Sequence, residues 1–211
     1  MEAEKHLDNL KEIKQLMERS TRFLSLSGLS GVMAGVSALI GAFLAYYVLA
    51  SFNYVRGISY FDGAIILDLQ NTVFIQLMLI GVGVLVSALS FGIYFTHRKA
   101  KRDGQTIWNS ASRKLMINLF IPLAVGGVFS LLLIHHHLVG LVAPVTLIFY
   151  GLACVNASHV THNEIRNLGI FNIVLGLINV YYIGYGLFFW GLGFGVMHII
   201  YGALMYFKYE R

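Results

Sequence analysis

The sequence predicts an all-α membrane bundle of six transmembrane helices, and three observations carry that prediction. Hydrophobic residues make up 57% of the 211 residues and charged residues only 12%, whereas about a quarter of the residues in a soluble domain are charged. The apolar residues form six runs of 18 to 28 residues, and a helix needs roughly 20 residues to cross a bilayer. No Asp, Glu, Lys or Arg lies inside these runs.

Residues 1–21 predict a cytoplasmic amphipathic helix, because apolar side chains recur at helical spacing along one side and charged side chains along the other. The charges have both signs, so this helix either lies on the inner membrane surface, docks on a partner, or is a solvated extension of the first span. Residues 22–211 then form a single transmembrane domain of six helices.

The first span, from about Arg22 to Leu49, carries a ladder of small residues at steps of three and four. On a helix these residues fall on one stripe, and such a stripe allows the close approach by which helices associate in lipid. The stripe is expected to face the fifth and sixth spans or, if it points outward, a second copy of the chain. The residues assigned to helix packing are Gly28, Gly31, Gly35, Ala38 and Ala42.

The remaining spans are expected at residues 72–95, 115–134, 138–158, 168–186 and 190–207. Residues 51–71 contain turn signals and predict an external loop. Pro122 lies within the third span and is expected to kink it.

The distribution of Lys and Arg predicts the orientation. With both termini in the cytoplasm, 14 of the 15 Lys and Arg residues lie on the inner side and only Arg56 lies outside, as the positive-inside rule requires. The densest charge run, His97 to Asp103, is also expected to attract anionic lipid head groups. The net charge of +5 does not indicate nucleic-acid binding, because the basic residues flank apolar spans.

The spans also suggest three repeated hairpins. The odd spans begin with STRFLS, SRKLMI and IRNLGI, and the even spans carry an aromatic–glycine pair near their inner ends. This layout, with its GLxxxxxG and LIFYG or IIYG elements, is similar to the acid-resistance membrane proteins built from three repeated hairpins. The stretch from Ser20 to Gly31 resembles uncharacterised bacterial six-span inner-membrane proteins. The resemblance implies a bacterial cytoplasmic membrane and carries over no functional residue.

The best candidate for a ligand site is the pair His198 and Asn179. If the last hairpin turns near residues 188 and 189, both side chains lie at a similar depth and point toward neighbouring helices. They either line a ligand site or pore, or only join two helices through a hydrogen bond that contributes about 0.6 kcal/mol. A polar lining would be completed by Asn172, Tyr182 and Tyr201.

Two groups of histidines are candidates for metal binding. His135, His136 and His137 end the third span, where they would need an unwound turn to share a metal, and they could instead sense external acid or form a hydrated helix end. His159 and His162 share a helical face on the second inner loop but lack a fuller metalloenzyme pattern. No cofactor is predicted, and a metal ion at these histidines is the alternative.

The sequence favours a protein that is not an enzyme. It contains no nucleophile elbow, phosphate-binding loop or dinucleotide fingerprint, and the spans lack the ionisable groups of proton-coupled carriers. One expectation is a scaffold, sensor or stress-response component that acts through helix–helix association, including a homo-oligomer. The alternative is a facilitator or channel for a small solute, with its polar lining on the fifth and sixth helices.

Overall fold

The computed structural model describes residues 23–56, 72–104 and 106–211, with the side chains of residues 52–56 excepted. The predicted amphipathic helix at 1–21 and most of the predicted external loop lie outside the described residues. Within those ranges every regular element is helical, and no strand occurs.

The helices follow one another along the chain with short connections. They are α1 (Gly28–Arg56), α2 (Thr72–Arg102), α3 (Ser110–His135), α4 (Val142–Ala157), α5 (Asn163–Tyr181), α6 (Gly186–Trp190) and α7 (His198–Tyr209). Short 3-10 turns at Val139–Leu141 and Ser158–Val160 flank α4, and a π-helical segment at Gly191–Met197 joins α6 to α7.

Five helical stretches are long and apolar enough to cross a membrane, as expected of a multi-pass membrane protein. They are Gly28–Ser51, Thr72–Arg102, Ser110–His135, Val139–Val160 and Gly186–Tyr209. The sixth expected span corresponds to α5, which falls short on composition because its 19 residues include Glu164 and Arg166 in addition to several asparagines. The outer surface of the bundle is rich in large apolar side chains, such as Phe43, Leu79 and Ile93, which are at least 66% exposed.

The helices do not coincide with the apolar runs. Residues 23–27 form no regular element, so that α1 begins at Gly28 rather than Arg22, and it continues past Leu49 to Arg56. Helix α2 likewise continues beyond the apolar run to Arg102. Helix α3 runs without a break from Ser110 to His135, with Pro122 inside it.

The small-residue stripe of α1 lies against the last helical stretch of the chain. A Cβ atom on Gly28 would lie 2.4 Å from the carbonyl oxygen of Gly202, and one on Gly35 would lie 2.6 Å from that of Gly195. Further along α1, Ala42 lies opposite Gly191. The two backbones are therefore in direct contact, which is how small residues bring helices together in lipid.

Helices α4 and α5 make a second glycine contact. A Cβ atom on Gly151 would lie 2.5 Å from the carbonyl oxygen of Gly169, and one on Gly169 would lie 2.6 Å from that of Gly151. On the other side of α4, Gly126 of α3 lies against the side chain of Phe149. Helix α4 is thus enclosed between α3 and α5.

Successive helices alternate in direction. The start of α1, the end of α2, the start of α5 and the end of α7 meet at one end of the bundle, through bonds such as Phe23 N to Val160 O (2.7 Å) and Lys99 Nζ to Leu26 O (2.9 Å). The side chain of Asn156 places the end of α4 and the start of α3 there too, since it donates to the carbonyl of Asn118. We call this the basic end of the bundle.

Candidate polar site inside the bundle

The last hairpin turns earlier than the sequence suggests. Helix α5 ends at Tyr181 and α6 begins at Gly186, and Gly184 between them adopts a positive φ of 105° that glycine tolerates at no steric cost. Asn179 therefore lies in the last turn of α5, whereas His198 lies roughly 18 Å beyond the start of α6 at about 1.5 Å per residue. The two side chains are not at the same depth.

His198 makes its hydrogen bonds to other residues. Its Nδ1 lies 3.0 Å from the carbonyl oxygen of Gly193, and its Nε2 lies 2.6 Å from the hydroxyl of Tyr150 on α4. A carbonyl only accepts, so Nδ1 carries the proton and the neutral ring accepts the tyrosine O–H at Nε2. Phe194 stacks on the imidazole at 5.9 Å between ring centroids. The two hydrogen bonds and this stacking contact together fix the orientation of the ring.

The π-helical segment brings α5 close to this pair. A Cβ atom on Gly193 would lie 2.5 Å from Oδ1 of Asn172, so only glycine allows the approach. Asn172, rather than Asn179, is therefore the α5 amide at the level of this segment. Widened turns of this kind are rare and are frequent at functional sites.

Both asparagines are completely buried, with 0% of the residue exposed. Asn172 donates from Nδ2 to the carbonyl of Leu168 at 3.0 Å, but its Oδ1 and both amide atoms of Asn179 have no hydrogen-bond partner among the described residues. An unsatisfied buried polar group costs about 1–3 kcal/mol, and bilayer hydrocarbon supplies no water to relieve that cost. Three buried hydrogen-bonding atoms of the interior thus have no partner among the described residues.

The two tyrosines expected in the lining lie elsewhere. Tyr182 follows the end of α5 and is 51% exposed, and Tyr201 is half-buried on α7. Tyr150 takes the place that was expected for them. In the sequence, Tyr150 and Gly151 form one of the aromatic–glycine pairs that suggest the repeat, and the pair by itself indicates no functional site. The signal for Tyr150 is its position four residues before Cys154, on the same stripe of α4, which indicates a polar position in the interior.

The three histidines after α3 lie in an unwound turn. Helix α3 ends at His135, His137 has a positive φ of 58°, and all three side chains are exposed. Across the described residues, no group of three or more His, Cys, Asp or Glu side chains is arranged to hold a metal ion. Asp62 and Asp68, in the predicted external loop at 51–71, lie outside the described residues.

The other two histidines do not lie together. His159 is exposed, whereas His162 is buried, donates from Nε2 to the carbonyl of Leu24 at 3.3 Å and lies against the ring of Tyr209. Burial lowers the pKa of His162 below its usual 6.5, because the charged imidazolium loses hydration, and this outweighs the favourable bond to Leu24. The buried side chain is a neutral contact between two segments of the basic end.

A cleft of about 330 Å³ opens at the basic end. Its lining combines one cation, one carboxylate and several neutral polar groups: Leu24, Lys99, Asp103, Thr161, His162, Asn163 and Tyr209. Beside it, Glu164 accepts hydrogen bonds from Lys208 and the hydroxyl of Tyr209. Partial burial raises the pKa of Glu164, but these bonds outweigh burial and hold the pKa below its usual 4.5.

A buried ion pair closes the start of α1. The carboxylate of Glu210 accepts the backbone N–H of Gly28 and the hydroxyl of Ser27, and Nζ of Lys99 lies 3.7 Å away. Only 5% of each charged side chain is exposed. A carboxylate at this position satisfies the unpaired N–H groups and the positive end of the helix dipole.

Comparison with protein-family models, with curated proteins and with solved structures finds no match. The resemblance to the three-hairpin acid-resistance proteins therefore remains a prediction. The function has to be argued from the site itself.

Proposed function

We propose that this multi-pass membrane protein is a facilitator that binds a small neutral solute inside its helix bundle. The observation that carries the proposal is the set of three buried amide atoms, on Asn172 and Asn179, that lack a partner among the described residues. Such atoms are costly in a bilayer interior. A passing solute that hydrogen-bonds to them offsets that cost for as long as it is bound.

The chemistry of the site selects the class of solute. Oδ1 of Asn172 can only accept a hydrogen bond, whereas Asn179 offers both a donor and an acceptor. The neighbouring His198 is neutral and already bonded on both nitrogens. Because no charged side chain lies within the six apolar runs, the site favours small neutral molecules with both donors and acceptors, such as urea, simple amides or polyols.

The same proposal includes six spans with both termini in the cytoplasm of a bacterial cell. Its support is the alternation of helix direction, which is the pattern expected if α5 is a sixth crossing, and the Lys and Arg residues gathered at the basic end, including Lys99, Arg102, Arg113 and Lys208. A fusion of alkaline phosphatase to the C-terminus tests the orientation. We expect it to be inactive, and periplasmic activity would contradict the assignment.

A vesicle assay tests the transport function. Full-length protein is reconstituted into liposomes, and swelling in urea or glycerol gradients is followed by stopped-flow light scattering. We expect permeation at least several-fold faster than in empty liposomes, with sucrose excluded. Rates equal to those of empty liposomes for urea, glycerol and small amides would overturn the proposal.

Matched variants assign the transport to the amides. Asn179→Leu and Asn172→Leu are expected to reduce permeation toward the background, whereas Asn167→Leu, at an exposed position on the same helix, leaves it unchanged. Replacing an unpartnered amide by an apolar group of similar size is neutral or stabilising for the fold. Asn179→Leu should therefore melt no lower than the wild type, which separates lost transport from lost structure.

A second candidate function is a scaffold, sensor or stress-response component that acts through association between copies of the chain. Helix α2 favours it, because the α2 positions Gly81, Gly83 and Gly92 have no described atom within 4 Å of an added Cβ. Mass measurement in detergent discriminates the two functions. A dimer that Gly81→Leu dissociates would support association through α2, and a monomeric wild type would exclude it.

A further inference from the structure

We infer that the cleft at the basic end is one mouth of the solute path, and that the path follows a single stripe of α4 from Tyr150 to the cleft. The inference rests on the proposed function, since it supplies the route to the same interior site. Three observations support it: the spacing of polar residues on α4, the position of the cleft, and the balance of charge around it.

Three residues with polar side-chain atoms at the end of α4 share one face. Tyr150, Cys154 and Ser158 follow at steps of four, which places them one above the other on a helix. Cys154 and Ser158 are 2% and 6% exposed, and the Cys154 thiol interacts with the Tyr150 hydroxyl. Leu152, on another side of the same helix, is 43% exposed. The stripe thus leads inward from the bundle surface toward His198.

The stripe ends at the cleft. Thr161, three residues after Ser158, lines the cleft and donates from Oγ1 to the carbonyl of Phe23 at 2.9 Å. His162 next to it donates to the carbonyl of Leu24. Leu24, in the irregular segment 23–27, therefore forms part of one wall of the mouth, and side chains of the α4–α5 connection hold the segment there.

The charges around the mouth suit a neutral solute. Lys99 and Asp103 both line the cleft, so that one positive and one negative group face the same space. Lys99 is bonded to the carbonyl of Leu26 and paired with Glu210, and Asp103 is paired with Arg102. Neither charge is left free to capture an ion, and a neutral molecule passes without displacing an ion pair.

Access to this route can be measured by labelling Cys154, because it is the only cysteine in the sequence. The full-length protein in sealed vesicles is exposed to a small, charged methanethiosulfonate reagent, applied in turn to each side. We expect Cys154 to react only from the side of the basic end, and saturating urea to slow the reaction several-fold. Labelling is measured as the mass of the intact protein.

Two further variants bracket this position. In a Cys154→Ser background, Ser158→Cys lies nearer the cleft and is expected to react faster than the native cysteine. Leu152→Cys, on the lipid-facing side of the same helix, is expected to stay unmodified, since the charged reagent does not enter lipid. Equal labelling of Leu152→Cys and Ser158→Cys would overturn the inference. It would also be overturned if neither Ser158→Cys nor the native Cys154 were labelled in the folded protein.

A variant that blocks the mouth of the path tests this inference independently of the proposed function. Asn163 lines the cleft yet is exposed, so a large residue there should be tolerated by the fold. Asn163→Trp is expected to slow urea permeation several-fold, whereas Asn167→Trp, exposed one turn further along α5, leaves it unchanged. Normal permeation through Asn163→Trp would reject the route while the facilitator stands. Absent permeation in the wild type would reject the facilitator itself, and labelling of Cys154 would still report whether water reaches the stripe.

Discussion

The hydroxyl of Tyr150 donates a hydrogen bond of 2.6 Å to Nε2 of His198, which joins the middle of α4 to the start of α7. The bond depends on the tautomer of the imidazole, since the proton is held at Nδ1 by the carbonyl of Gly193. The bond is therefore a direct connection between two helices in the interior of the bundle.

Tyr150→Phe is expected to lower the free energy of unfolding by about 1 kcal/mol. Interhelical hydrogen bonds in membranes contribute on average about 0.6 kcal/mol, and Nε2 of His198 is left without a donor in an apolar setting, which adds to the cost. Unfolding in mixed detergent micelles measures the change. Tyr47→Phe, at an exposed position on α1, serves as the control, and equal effects of the two variants would contradict the assigned bond.

Gly202→Ala is expected to destabilise the bundle by about 1–3 kcal/mol, the usual cost of forcing extra atoms into a packed interior. An added Cβ would lie 2.5 Å from the backbone nitrogen of Val32 and 2.7 Å from the carbonyl oxygen of Gly28, so that α1 and α7 must separate. The melting temperature in detergent reports the loss.

The same substitution at Gly83 provides a control for helix propensity. No described atom lies within 4 Å of a Cβ added there, and alanine is favoured over glycine in a helix by up to about 1 kcal/mol. Gly83→Ala is therefore expected to be neutral or stabilising. If both variants lost the same stability, the contact between α1 and α7 would not be the cause.

Lys99→Met is expected to destabilise the protein by about 3 kcal/mol, because it leaves the buried carboxylate of Glu210 without its cation. Asp103→Asn breaks the exposed pair with Arg102, whose side chain is 56% exposed, and is expected to cost less than about 1 kcal/mol. A double-mutant cycle of Lys99→Met with Glu210→Gln measures the coupling between the two groups. A coupling energy near zero would show that the pair does not hold the basic end together.

The stability of the protein is expected to fall as the pH drops below about 6.5, and His162 is one cause. Its pKa in the folded protein lies below the usual 6.5, so the unfolded chain binds the proton first and the equilibrium shifts toward unfolding. The contribution is fully present above pH 6.5 and is lost as the pH falls toward the folded pKa. Melting temperatures between pH 5 and pH 8 measure it.

His162→Gln is expected to flatten this pH profile, since glutamine keeps a donor for the carbonyl of Leu24 but does not titrate. His159→Gln, at an exposed position in the same connection, is the control and should retain the profile of the wild type. A profile that is identical in all three proteins would remove His162 as a cause of the pH dependence.

Hydrophobicity and spacing predicted most of the helical architecture. Five of the expected spans correspond to helices long and apolar enough to cross a membrane, and the small residues of α1 lie against the π-helical segment and α7. The ends of the helices were less predictable, because hydrophobicity marks the part of a helix that suits lipid rather than the part that is helical. Helix α2 thus continues past its apolar run to Lys99, which is held by the carbonyl of Leu26.

The candidate site depends on details that periodicity does not contain. The position of the last turn is set by the left-handed conformation of Gly184, and a shift of a few residues there moves Asn179 away from the level of His198. The π-helical segment changes which face of α7 meets α4, so that the partner of His198 is Tyr150. The π-helical segment has more residues per turn than an α-helix, so it rotates the residues that follow it about the helix axis. Spacing rules that assume 3.6 residues per turn throughout do not predict this rotation.

The joining of α1 to α7 has a consequence for how the protein is made. Gly28 and Glu210 are 182 positions apart, so the N-terminus of α1 is capped only after synthesis has continued at least as far as Glu210. Synthesis proceeds from the N-terminus, so α1 and α2 are made before the π-helical segment and α7, against which the glycines of α1 pack. A chain that stops before Glu210 therefore lacks the carboxylate that caps α1 and joins its start to the end of α7.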